Sequence, residues 1–163
     1  MGILKIITIG VYGFSEQEFF NALLNAKVDT FCDIRLRRGM RGPKYAFVNK
    51  TYLEKKLKEI GIKYLYFKNL APSKEIRLKQ QLEDKKCGVE KKSREILAPI
   101  FVEAYFDTVL LRFNSEQFVQ EVGESSKIIA LFCVERMPQS CHRSLVLSKL
   151  TKDLSLIGEN ILP

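Results

Sequence analysis

The chain has 163 residues, of which 46% are apolar and 28% charged, a balance that excludes intrinsic disorder and suits one domain around one core. Folding at this length buries about 70% of the unfolded chain's surface, so no second domain is needed. Twenty-seven Lys and Arg against 19 Asp and Glu leave a net charge of +8, which attracts polyanions such as nucleic acid or nucleotides. No apolar run approaches the roughly 20 residues of a membrane-spanning helix. The start, Met1-Gly2-Ile3-Leu4-Lys5, passes straight into a strand-like run without the pattern of a signal peptide. We therefore expect a cytoplasmic protein with no membrane attachment, whose four cysteines stay reduced.

Taken in chain order, Leu4 to Ile9 reads as a strand ending in the turn Gly10-Val11-Tyr12-Gly13. Ser15 and Glu18 form a capping box that opens a helix with Phe19, Phe20, Leu23 and Leu24 on one face. Val28 to Ile34 is a second strand, followed by a polar loop from Arg35 to Phe47 that carries Arg37, Arg38, Arg41 and Lys44. A second helix is expected near Thr51, with Glu54 in capping-box register, and Gly61 stops it before a third strand, Ile62 to Phe67. Residues 73–113 read as a helical segment in which Pro99 ends one helix or starts the next. Ser115 to Val122 is a short amphipathic helix, and Lys127 to Cys133 is a strand apolar enough to be buried on both faces. A last helix is expected from about Cys141 to Thr151, then an edge strand between Leu154 and Leu162.

Strands alternating with helices predict a single α/β domain over residues 1–163: an open, largely parallel, Rossmann-like sheet flanked by helices. Such sheets bind ligands outside the carboxyl ends of their strands. The residues delivered there are Thr8, Gly10 and Tyr12 from the first strand, Asp33 and Arg35 from the second, Lys68 from the third, and Cys133 and Glu135 from the fourth.

The richest stretch is Cys133 to Ser144, with two cysteines, the single histidine, a glutamate and two arginines between a buried strand and a helix start. A helix N-terminus binds anions and lowers the pKa of a thiol beside it. Cys133, Glu135, Cys141, His142 and Asp33 are therefore the candidate catalytic groups, with Cys141 or Cys133 as nucleophile. Gly10, Tyr12, Arg35, Ser140, Arg143 and Ser144 are the candidate ligand-binding residues, Arg143 and the serine hydroxyls completing a phosphate cradle. The blander readings are that Cys133 packs, that Asp33 and Arg35 pair to hold the basic loop, and that Arg143 pairs with Asp33 or Glu135.

Three further readings turn on spacing and charge. A phosphatase loop needs an arginine six residues after its cysteine, where this chain has Gln139 and Leu147. A zinc site would draw on Cys133, Cys141 and His142 with Cys32 or Cys87. Close Cys-x₂-Cys pairs are missing and adjacent Cys141 and His142 seldom reach one ion, so we expect no metal and no cofactor. A nucleic-acid-binding module would use the basic loop and the Lys55-Lys56-Lys58, Lys85-Lys86 and Lys91-Lys92 segments, with Tyr45, Tyr64 and Tyr66 for stacking.

Several motifs together carry a family resemblance: Thr8-Ile9-Gly10, Asp33-Ile34-Arg35, Phe47 with Leu53, Gly61-Ile62-Lys63-Tyr64, Cys133-Val134-Glu135, and Pro138 with Cys141-His142-Arg143-Ser144. In that order they resemble a prokaryotic family catalogued as domain of unknown function 488. The resemblance implies an α/β fold and a soluble protein, and no established activity. The chain departs from the family at Leu70-Ala71, where Leu-Gly is common, and at Asn160-Ile161, where a terminal His-Ile is common. The expected function is binding of a phosphate-bearing anion, a small molecule or nucleic-acid end, at the carboxyl edge, with Cys/His/Glu chemistry as an added capability. The alternative is a non-enzymatic nucleic-acid-binding module.

Overall fold

The strand Ile128–Phe132 (β4) is apolar throughout and buried at all but its first residue, so it needs cover on both faces. In the computed structural model, which describes residues 2–163, β4 is the middle strand of a five-stranded parallel sheet of order β3-β2-β4-β1-β5. The other strands are β1 (Lys5–Ile9), β2 (Thr30–Asp33), β3 (Lys63–Tyr66) and β5 (Ile157–Ile161). Every pairing is parallel, so the expected open α/β sheet is present. Met1, part of the expected domain, lies outside the described residues. No described helix is long and apolar enough to cross a membrane.

Partners in a parallel ladder share a face, and side chains alternate between faces along each strand. Ile9, Phe132, Asp33 and Tyr66 therefore lie on one face, and Thr8, Leu131 and Cys32 on the other. Helix α1 (Glu16–Asn25) covers the first face: the Phe19 ring meets Phe31, Phe47 and Phe132 at centroid distances of 6.3, 5.6 and 5.6 Å. Truncating such a buried Phe costs about 3–5 kcal/mol. Helix α6 (Arg143–Leu154) covers the second face, pressed so close that a Cβ on Gly158 of β5 would sit 2.9 Å from Thr151. Helix α2 (Lys50–Glu59) bridges β2 to β3, and α3 (Lys74–Cys87), α4 (Pro99–Tyr105) and α5 (Ser115–Val122) span the long crossover to β4.

The capping box predicted for α1 is present, with Ser15 and Glu18 bonding reciprocally. Three predictions need correction. Helix α2 starts at Lys50 after Asn49 and has no side-chain cap, because the Asn49 side-chain Oδ1 accepts the Met40 N–H of the basic loop instead. The segment 73–113 is not continuously helical. Gly88, at φ +66, ends α3 in the left-handed conformation, and an irregular stretch follows until Pro99 opens α4. The last helix starts at Arg143, leaving Cys141 extended at φ −136, ψ 147.

Because β4 lies between β1 and β2, the carboxyl ends of these three strands meet where the winding reverses. A crevice forms at such a point in open α/β sheets.

Candidate functional site

Asp33 closes β2, and Arg35 follows on the same face. Arg35 donates to Asp33 Oδ1 from its backbone N–H and Nε at 3.1 and 2.9 Å, and to Oδ2 from Nη2 at 2.7 Å. The Tyr64 hydroxyl donates to Oδ2 at 2.8 Å, and burial together with the Asp33 charge raises that phenol above its ordinary pKa. Arg35 Nη2 also reaches the Val48 carbonyl at 2.9 Å, and the guanidinium lies 4.7 Å over the Phe132 ring. Asp33 is wholly buried with both oxygens engaged, so it positions Arg35 and ties the basic loop to the sheet. Arg35 Nη1 is buried with no partner.

The other half of the site comes from the β4–α6 connection. Cys133, Glu135, Cys141 and His142 are all buried there. His142 Nε2 lies 2.9 Å from the Ile34 carbonyl, which can only accept, so Nε2 carries a proton. The opposite nitrogen, Nδ1, lies 3.7 Å from Cys141 Sγ. Burial alone would raise the Cys141 thiol, but a hydrogen bond from Cys133, the charge and hydrogen bond of His142, and the charge of Arg143 outweigh it and hold the thiol well below its ordinary range. Burial opposes protonation of His142, while Cys141 and the Ile34 carbonyl raise it. Cys133, donating to Cys141 and buried, is pushed well up. The arrangement favours a thiolate at Cys141 and a protonated His142, with Cys133 as a second thiol beside them. Glu135 is raised, first by burial and then by the Cys141 charge.

These groups open onto one cleft of about 210 Å³, lined among others by Arg35, Arg77, Arg94, Cys133, Glu135 and His142. Ser140 and Cys141 also line it. A larger depression of about 590 Å³ lies between the start of α1 and Tyr45, with no thiol or histidine in its walls.

Four expected ligand-binding residues stand elsewhere. Arg143 is wholly buried, with Nη1 donating to the Glu135 carbonyl at 2.5 Å and Nη2 to the Arg136 carbonyl at 3.1 Å. Its fork clamps the loop between β4 and α6 where a phosphate cradle was expected. Ser144 caps locally, donating to the Cys141 carbonyl. Gly10 gives room to the same loop, since a Cβ there would lie 1.9 Å from the Glu135 carbonyl oxygen. Tyr12 packs its ring against Tyr45 at 5.2 Å.

A family model for the domain of unknown function DUF488 matches residues 15–150, most of the chain and every residue of the cleft. The chain belongs to the DUF488 family. No curated protein and no solved structure matches it.

In and behind the cleft of this DUF488 chain stand residues that its sequence did not assign to the site. Arg94, in the irregular stretch after α3, donates to Asp84 at 2.7 Å, to Glu135 Oε1 at 3.2 Å and to the Ser140 carbonyl at 3.2 Å. Lys91 faces Glu135 Oε1 at 3.7 Å. The Tyr105 ring stacks edge-on against His142 at 5.5 Å, while its hydroxyl donates to the Leu70 carbonyl. The only signal in the sequence was the polarity of this segment, which carries too few apolar residues for a core helix.

Proposed function

We propose that the DUF488 cleft binds a phosphate-bearing anion, a nucleotide or the end of a nucleic acid. The observation that carries this reading is the surplus of cationic donors around one opening. Arg37 and Arg77 line the cleft without an ion pair or side-chain hydrogen bond among the described residues, and Arg35 contributes its unpaired Nη1. Arg77 also stands close enough to Lys91 for the two positive charges to oppose each other. Like charges gathered in a concave site favour an anionic occupant, and guanidinium forks suit phosphate oxygens. Cys133, Glu135, Cys141 and His142 lie in the same walls and would meet the anionic end of the ligand.

Calorimetry and thermal shift with nucleoside mono- and triphosphates and with short oligonucleotides, with and without a 5′-phosphate, test the reading, because a ligand selective for the folded state raises Tm. Phosphorylated compounds should bind and their unphosphorylated counterparts should not. An Arg37→Ala/Arg77→Ala variant should lose about 1.5–3 kcal/mol of affinity for each charged hydrogen bond removed. Wild-type affinity in that variant, or no phosphorylated binder at all, would refute the proposal.

A further inference from the structure

We propose that Cys133 Sγ, Cys141 Sγ and His142 Nδ1 form a three-residue binding site for a thiophilic divalent transition ion of the zinc type, with its fourth position toward the cleft and Glu135 as a charged neighbour outside the ligand set. The three ligand atoms are buried and lie within 4.8 Å of one another. Zinc bonds of about 2.3 Å to sulfur and about 2.05 Å to nitrogen set a tetrahedral S···N edge of about 3.6 Å. The Cys141 Sγ to His142 Nδ1 separation is 3.7 Å, which fits that edge without rearrangement. The adjacency in sequence that argued against a shared ion is overcome because Cys141 is extended while His142 is already helical, at φ −60, ψ −18.

Two features outside the three ligands point the same way. His142 points its Nε2–H at the Ile34 carbonyl, so loss of the Nδ1 proton to an incoming ion leaves a lone pair aimed at the two sulfurs; metal-binding histidines are oriented by just such a second hydrogen bond. Glu135 Oε1 is held by Arg94 and Lys91, whereas Oε2 is buried with no partner. Its buried, unpartnered oxygen adds negative charge in the same cleft walls as the two sulfurs.

The chemistry favours the ion over a bare cluster. Without an ion, two thiols, an imidazole and a carboxylate share one buried volume. A divalent ion displaces the thiol protons and the Nδ1 proton, binding both sulfurs as thiolates. Two thiolates and an imidazole select zinc, iron(II) or cobalt(II) over magnesium or calcium. The frame is rigid, with Cys133 at the end of a buried strand, Cys141 and His142 at a helix start, and Arg143 clamping the loop between. Because the ligands also line the cleft, the ion would be reachable from solvent.

The inference does not depend on the anion proposal, and its test needs no anionic ligand. Reduced, chelator-stripped protein is titrated with Co²⁺ in the absence of oxygen. We expect thiolate-to-cobalt charge-transfer bands and the visible bands of a four-coordinate ion, saturating at one equivalent and displaced by Zn²⁺. Cys133→Ser, Cys141→Ser and His142→Ala should abolish the spectrum, Glu135→Gln should weaken affinity by about 10–100-fold, and Cys32→Ser and Cys87→Ser should leave it unchanged. Alkylation of the wild-type chain, read by mass spectrometry, keeps the test independent of variant folding: Zn²⁺ should protect Cys133 and Cys141 from iodoacetamide while exposed Cys87 still reacts. No thiolate-to-cobalt bands, bands that survive loss of Cys141, or alkylation of Cys141 at the same rate with and without Zn²⁺ would overturn the proposal. The last result would mark the pair as a nucleophile working without metal.

Discussion

Arg143 shows how one side chain determines the geometry of the whole site. Its guanidinium has zero exposure and satisfies the Glu135 and Arg136 carbonyls, so its removal strands buried acceptors. We expect Arg143→Ala to lower stability by about 1–3 kcal/mol for each carbonyl left unpaired. Anion affinity, corrected for the folded fraction, should stay as in wild type; urea unfolding midpoints alongside calorimetry check both halves. Tyr64 makes a different prediction, about pH. Its folded pKa is raised above the ordinary 10.0, so the stability it contributes is fully present below pH 10 and is lost as pH rises through the folded value. The urea midpoint should therefore fall above pH 10, and Tyr64→Phe should flatten part of that fall. An identical pH slope in the variant would show that Tyr64 does not control it.

At the scale of elements, the cleft is a strand edge on one side and the α3–α4 crossover on the other. The crossover wall is not a continuous helix, since Gly88 ends α3 and the stretch before Pro99 contributes little to the core, with Leu97 its one buried side chain. Arg94 makes the most bonds holding this wall, spanning Asp84 on α3 and Glu135 and Ser140 on the β4–α6 loop. Local stability follows buried contacts and anchoring bonds, so a wall held by Arg94, the Lys91–Glu135 pair and the Leu97 N–H to the Gln139 carbonyl should open more readily than the core. We expect Arg94→Gln to speed tryptic cleavage at Lys91 and Lys92 while the near-ultraviolet circular dichroism of the aromatic core stays native. Cleavage at the wild-type rate would mean that other contacts hold the wall. Gly10 belongs to the same scale: in Gly10→Ala the new Cβ must displace the Glu135 backbone, a packing strain of about 1–3 kcal/mol readable by thermal unfolding.

Over the whole molecule, the charge of +8 and the cleft make separable contributions to anion binding. Arg38 is already engaged, stacked 3.8 Å over Tyr66 and facing Glu54 at 3.9 Å, so the basic loop is less free than its composition suggests. Arg41 and Lys44 remain as its outward charges, with Lys44 placed over the Tyr45 ring. If they meet a nucleic-acid backbone, Arg41→Ala/Lys44→Ala should reduce the slope of log K against log salt by about 0.9 for each duplex phosphate no longer neutralised. Binding of a mononucleotide in the cleft should be unaffected. A salt slope unchanged from wild type would confine nucleic-acid recognition to the cleft.

Much of the architecture was legible in the sequence because it rests on short-range rules. The apolar run Ile128 to Phe132 demanded burial on two faces, Ser15 and Glu18 specified a helix start three residues apart, and period-two alternation put Asp33 and Arg35 on one side. The parallel order followed from alternating strands and helices, and with it the edge on which Cys133, Glu135 and the Cys141-His142 pair would lie. What each polar group does there was decided only in three dimensions, since donors and acceptors are matched by distance and not by spacing along the chain. Arg143 looked suited to a phosphate or to pairing with Asp33 or Glu135, and only the loop's path turned its fork onto two backbone carbonyls. Arg94 carried no signal in the sequence, and only the break in the helix brings it to Glu135. Cys133, Cys141 and His142 lacked the spacing of a metal motif, yet a strand end and a helix start bring their three ligand atoms within 4.8 Å, because folding closes distances that no local pattern encodes.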